Sequence, residues 1–120
     1  MSIKQRLNSF KYAFAGIYEV VQSQPNMKIH IVVAVLTVLS GYFFSISITE
    51  WCFIAVASLA VMSAEAFNTA LEHLTDLVSP EYNPLAGKVK DAAAGGVLIT
   101  AIGAAIIGLL IFLPKLLALL

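Results

Sequence analysis

Residues 3 to 21 carry apolar side chains at Ile3, Leu7, Phe10, Phe14, Ile17 and Val21, with Lys4, Asn8 and Lys11 largely off that line. Spacings of four and three place the apolar set on one helical face, so an amphipathic helix is expected over about 3–23. Gln22, Ser23, Gln24, Pro25 and Asn26 break the pattern, and Pro25 either ends this helix or opens the next. From Ile29 to Ile48 the chain is apolar with His30 as its sole ionisable group. Twenty such residues rise about 30 Å as a helix, the thickness of a bilayer's hydrocarbon core. A second run opens at Glu50-Trp51 and carries no charge from Trp51 to Ala64. Helical spacing then continues through Glu65, Asn68, Glu72 and Asp76, so a helix over 50–78, about 43 Å long, is expected to reach past the hydrocarbon. Ser79 to Gly87 reads as a loop, with Pro80, Asn83, Pro84 and Gly87. A third run spans 89–113, opens with the small residues 92–96, and is expected to end at Pro114.

The pattern predicts an all-α membrane protein of one domain, 1–120: a surface helix followed by three transmembrane helices. Composition agrees, with 60% hydrophobic and 12% charged residues where soluble domains carry about a quarter charged. A formal net charge of zero provides no basic field for nucleic acid, so the expected partner is the lipid bilayer. No cleavable signal peptide is visible in the amphipathic first segment. Cys52 stands alone inside an apolar run and reads as a small hydrophobe. Lys4, Arg6, Lys11 and Lys28 precede the first span and Lys88 and Lys90 follow the second, against Lys115 alone on the other side. That bias predicts a cytoplasmic N-terminus and an outward C-terminus.

The candidate chemistry lies on the second span. Glu65, Asn68, Glu72 and Asp76 follow each other at intervals of 3, 4 and 4, one polar stripe on a helix. An unpaired carboxylate in lipid costs several kcal/mol, which makes Glu65 a functional candidate. It stands about 22 Å along the helix from Glu50, near the cytoplasmic boundary. Glu81, Lys88, Lys90 and Asp91 follow on the loop and the start of the next helix. An antiparallel hairpin returns them beside Glu72 and Asp76. Carboxylates with lysines at a membrane–water boundary suit a metal-bound polyphosphate, since carboxylate oxygens take Mg²⁺ and lysine neutralises phosphate. Glu72, Lys90 and Asp91 are expected to share one pocket with Glu65. The competing reading is a solvated helix end with Asp76 and Lys90 simply paired. His30 and His73 show no metal spacing and read as structural or interfacial. No P-loop or Gly-rich kinase loop is present. From the residues alone a lipid-modifying enzyme, a proton or ion conductor using Glu65, and a non-catalytic assembly protein all remain open.

At these positions the sequence resembles the prokaryotic diacylglycerol kinase and undecaprenol kinase family. Glu65-Ala-Phe-Asn-Thr-Ala-Leu-Glu72 matches its E-x-x-N-T/S-A-I/L-E signature, and Lys90-Asp91-Ala-Ala-Ala-Gly-Gly-Val97 its K-D-x-A-A-G-A-V signature. Asp76, Ser79-Pro80-Glu81, Pro84-Leu85-Ala86, Asn26-Met27-Lys28-Ile29-His30 and Glu50-Trp51 also fit. The resemblance implies a homotrimer in the bacterial plasma (inner) membrane that phosphorylates a lipid alcohol with ATP and Mg²⁺. It implies Glu65 as the base toward the lipid hydroxyl, Asn68 as the neighbour that orients it, and Ala94 beside the lipid. Glu72 is implied as the metal ligand at the phosphates. Tyr12, Glu81, Tyr82, Asn83, Lys90 and Asp91 are implied around the nucleotide. Two positions depart from the family pattern. A second metal-binding glutamate usually stands two residues before Asn26, where this chain has Gln24, a poorer Mg²⁺ ligand. Gln5 stands where some members have arginine, with Arg6 adjacent.

Overall fold

The computed structural model describes residues 1–120 and contains four helices and no strand. The first, α1 (Ile3–Ser23), starts at a reciprocal cap. Gln5 N–H donates to Ser2 Oγ at 3.2 Å, and Ser2 N–H donates to Gln5 Oε1 at 2.7 Å. Its apolar face, with Ile3, Leu7, Phe10 and Phe14, is exposed, and Val20 is its one buried residue. An amphipathic helix that leaves its apolar face uncovered suits the surface of a bilayer.

A single extended residue, Gln24, joins α1 to α2 (Pro25–Phe43). Pro25 therefore opens the second helix, because the first helical position needs no N–H and its ring fixes a helical φ. The first span accordingly lies about four residues earlier than the apolar run predicts. Its far end is closed by a turn, with Ser45 at φ 51° and Ile46 N–H returning to the Gly41 carbonyl at 3.1 Å. Ile46 is apolar because it is buried against Ile54 and Ile111, and not because it belongs to the span.

Ser47 and Glu50 form a second reciprocal cap that starts α3 (Ile48–Val78), 31 residues long. After Ser79–Asn83 the chain returns as α4 (Pro84–Leu117). This helix begins five residues before the predicted start, since Pro84 occupies the first helical position and the Asn83 side chain accepts from Leu85 N–H at 2.8 Å. It also runs through Pro114, where an end was predicted. Proline forfeits one helical hydrogen bond, but near the terminus few bonds depend on it. Ile111 is buried one turn before, and Lys115 Nζ bonds Glu50 Oε1 at 3.0 Å just beyond.

The helices α2, α3 and α4 are each long and apolar enough to cross a membrane, with mean hydropathy of 1.5, 1.5 and 2.7 over their best windows. In the centre, α3 packs most extensively on α4 and also on α2. The chain measures 55 × 43 × 21 Å, so it is a thin layer. Only 13 of 120 residues are buried, which leaves most apolar side chains for lipid or for other copies of the chain to cover. Charge pairs clasp the α3–α4 hairpin at both ends, Glu50 with Lys115 and Asp76 with Lys90.

Candidate active site

Along α3 the polar stripe passes from core to surface. Glu65 is 1% exposed and Asn68 is 6% exposed, Glu72 is half-buried, and the Asp76 side chain is 63% exposed. The helical repeat keeps all four on one side, and the gradient follows from α2 starting at Pro25 beside Glu65 and Asn68, short of Asp76. Asn68 Nδ2 donates to Glu72 Oε1 at 3.2 Å. Neither carboxylate oxygen of Glu65 accepts a hydrogen bond, and Asn68 Oδ1 accepts none. Three buried acceptors without partners on adjoining turns mark a place where the fold is not optimised for stability.

These side chains open into a cavity of about 250 Å³ between α2, α3 and α4. Its polar lining is Asn26 and His30 from α2 with Glu65 and Asn68 from α3, and Ala94 and Val97 of α4 form an apolar wall. Ala94 thus shares a cavity lining with Glu65. His30 Nε2 stands 3.8 Å from Glu65 Oε2. Sequence spacing did not pair these two, since they lie on different helices. The usable signal is that each is the ionisable group of an otherwise uncharged helix stretch.

A second polar cavity, also about 250 Å³, lies where α3 gives way to α4. It is lined by Asp76, Glu81, Tyr82, Asn83 and Lys90 among others. The expected single pocket is thus divided within one chain. Glu65, Asn68 and Ala94 belong to the deeper cavity and Glu81, Tyr82, Asn83 and Lys90 to the outer one. Glu72 lines neither, but its bond to Asn68 ties it to the deeper group. Lys90 is engaged by Asp76, the pairing that the competing reading anticipated. Asp91 is exposed one residue further on, Tyr12 is 71% exposed on α1, and Gln24 is half-buried at the α1–α2 elbow. None of these three lines either cavity.

No group of three His, Cys, Asp or Glu side chains converges to hold a metal by itself. The oxygen-only donor at Glu72 fits Mg²⁺, which binds one or two carboxylates and takes its remaining ligands from phosphates and water.

The sequence profile of prokaryotic diacylglycerol kinases matches residues 11–112, most of the chain and all of both cavities' polar residues. The chain belongs to the prokaryotic diacylglycerol kinase family. It is similar to an undecaprenol kinase of Bacillus subtilis, 43% identical over 108 residues that make up 90% of this chain and 88% of that protein. It is also similar to a diacylglycerol kinase of Synechocystis sp., 40% identical over 114 residues, 94% of this chain but 65% of that longer protein. As a prokaryotic diacylglycerol kinase family member the chain is a multi-pass membrane lipid kinase.

Proposed function

We propose that this kinase transfers the γ-phosphoryl group of ATP to the hydroxyl of a membrane lipid alcohol at the cytoplasmic face of the bacterial plasma membrane. The observation that carries this reading is the Glu65 carboxylate, 1% exposed and without a hydrogen-bond partner, facing a cavity with an apolar wall at Ala94 and Val97. A base for a lipid hydroxyl has to meet an apolar substrate out of bulk water; the burial of Glu65 and the apolar wall beside it support that role, and the trimer proposed below would complete the exclusion of water. It removes the hydroxyl proton as the lipid oxygen attacks the γ-phosphorus, and ADP leaves in line. Asn68 holds Glu72 in place through its amide. When bound, Mg²⁺ neutralises charge on the transferring phosphates, and Glu72 is the residue to hold it. Lys90 and Asp91, with Glu81, Tyr82, Asn83 and Tyr12, form the nucleotide side.

The bias of basic residues supports a cytoplasmic N-terminus and α3–α4 loop with the C-terminus outward. A homotrimer is part of the proposal. A layer about one helix pair thick cannot close water out of a transfer site, and neighbouring copies that cover the exposed helix faces would join the two cavities. The fuller match, at slightly higher identity, is to the undecaprenol kinase, and undecaprenol is the acceptor we favour over diacylglycerol. Neither the ion-conducting nor the assembly reading gains an observation from the geometry.

The test is transfer of labelled phosphate from ATP by the purified protein in mixed micelles offered undecaprenol and diacylglycerol separately. Phosphorylation of undecaprenol, abolished in Glu65→Gln at unchanged oligomeric state, is expected. ATP-independent proton flux in vesicles with no lipid phosphorylation, or normal turnover of Glu65→Gln, would overturn the reading.

A further inference from the structure

Glu65 requires something to accept the proton it removes. A carboxylate with no hydrogen-bond partner, 1% exposed, has no direct route to bulk water. One ionisable side chain from another helix reaches it. His30, on the second turn of α2, places Nε2 3.8 Å from Glu65 Oε2. The His30 side chain is 20% exposed against 1% for Glu65, so the imidazole is the more open of the two groups. It lines the Glu65 cavity and also the apolar groove that continues from it between α2, α3 and α4 towards Ile54. The imidazole thus stands where the groove and the Glu65 cavity adjoin.

We propose that His30 is the positioning and proton-relay residue of the transfer reaction. It holds the Glu65 carboxylate toward the cavity and takes over the proton that Glu65 removes from the lipid hydroxyl. This rests on the reading of Glu65 as the base. The lipid O–H bond breaks and its proton goes to Glu65. The lipid oxygen forms the new bond to the γ-phosphorus while the bond to the ADP oxygen breaks. The proton then passes from the Glu65 carboxyl to Nε2 of His30, and the imidazolium gives one proton up to water, which returns the carboxylate and the ring to their starting forms. No oxidant or further reactant is needed. A separation of 3.8 Å is just outside hydrogen-bond reach, and a small side-chain rotation or one water closes it.

The surroundings leave little competition for this role. Among the residues of α4 that face the cavity, Ala94, Val97, Leu98 and Ala101 carry no titratable group, and α1 contributes none to its lining. Asn26, one turn before His30, is a neutral amide. On α3 itself the nearest charge is Glu72, two turns on, whose Oε1 is bonded to Asn68. Glu72 lines neither cavity, so it offers the proton on Glu65 no path that competes with His30.

The test is steady-state kinetics of His30→Gln and His30→Ala across pH, with Glu65→Gln alongside. Glutamine keeps the size and polarity of the site but accepts no proton at neutral pH. The expected result is a kcat lowered about tenfold to hundredfold, within the usual range for a lost proton-transfer group, with the KM for ATP unchanged. The acidic limb of the kcat profile is expected to move, and added imidazole to restore part of the rate in His30→Ala. Wild-type kcat and pH profile in His30→Gln overturns the proposal. So does a lowered kcat with an unmoved profile and no imidazole rescue, which marks a packing role. Normal turnover in Glu65→Gln instead removes the base assignment, so the two failures are told apart.

Discussion

Thr69 donates its hydroxyl to the backbone carbonyl of Glu65 at 2.9 Å, and the two are the most deeply buried side chains of the protein, each 1% exposed. They are satisfied in opposite ways, since the threonine uses the helix's own carbonyl while the carboxylate above it has no donor. A carboxylate in that state costs stability, and the proposed role as base is what would offset it.

Replacing Glu65 with leucine therefore separates the two properties. Leu removes an unpartnered buried acceptor and fills the cavity with apolar atoms, which is expected to stabilise the fold by about 1–3 kcal/mol. Transfer activity is expected to vanish. Thermal unfolding in detergent, read with the lipid phosphorylation assay, checks both. A lower unfolding temperature would indicate that the acid is paired in the assembled protein.

Lys90→Met tests the outer cavity. The ion pair it breaks is exposed on both sides, 40% and 63%, so stability should change by no more than about 1 kcal/mol. A charge-assisted bond to phosphate is worth about 1.5–3 kcal/mol, so the KM for ATP is expected to rise roughly ten- to hundredfold. Nucleotide titration at fixed lipid distinguishes this from a lowered kcat.

Much of the architecture could be read from the chain because bilayer thickness ties each span to a length of apolar run. Glu65, Asn68, Glu72 and Asp76 were legible as one stripe for the same reason that helices repeat. Helix ends were less so. Pro25 and Pro84 each open a helix inside what reads as a loop, and Pro114 lies within α4, because proline's effect depends on how many hydrogen bonds lie before it. The His30–Glu65 approach was not legible, since it depends on the rotation of α2 against α3. Nor was the division into two cavities, which depends on how far α3 projects past α2.

Gln24→Glu tests the metal side. Gln24 is the one-residue elbow between α1 and α2, and its side chain makes no capping bond at the start of α2. Nothing local therefore requires an amide there. A carboxylate there gains about 0.3–1 kcal/mol at the N-terminus of α2 and loses a similar amount at the C-terminus of α1, so the stability of the elbow should change little. If a second acidic ligand improves Mg²⁺ binding, the Mg²⁺ concentration giving half-maximal rate is expected to fall by about threefold or more. An unchanged Mg²⁺ dependence would place Gln24 outside the metal's reach.

Gly41→Ala sets two effects of opposite sign against each other at the Trp51 end of the bundle. Alanine is the better helix former by about 0.8–1.0 kcal/mol. The residue has no positive φ, so the missing Cβ and not backbone freedom is what glycine supplies. A Cβ at 41 would meet the Trp51 ring at 2.5, 2.8 and 3.0 Å, and that ring also stacks at a tilt on Tyr42, with centroids 5.1 Å apart. The ring lies against Gly41 and Tyr42, and a methyl group at 41 would displace it from that seat towards the groove lined by Val38, Ile54 and Ala55. Overpacking of this kind costs about 1–3 kcal/mol, which outweighs the propensity gain, so a lower unfolding temperature is expected. Trp51→Leu in the same chain removes the clash, and in that background Gly41→Ala is expected to become neutral or stabilising. An equal loss with leucine at 51 would show that the ring is not what excludes the methyl group.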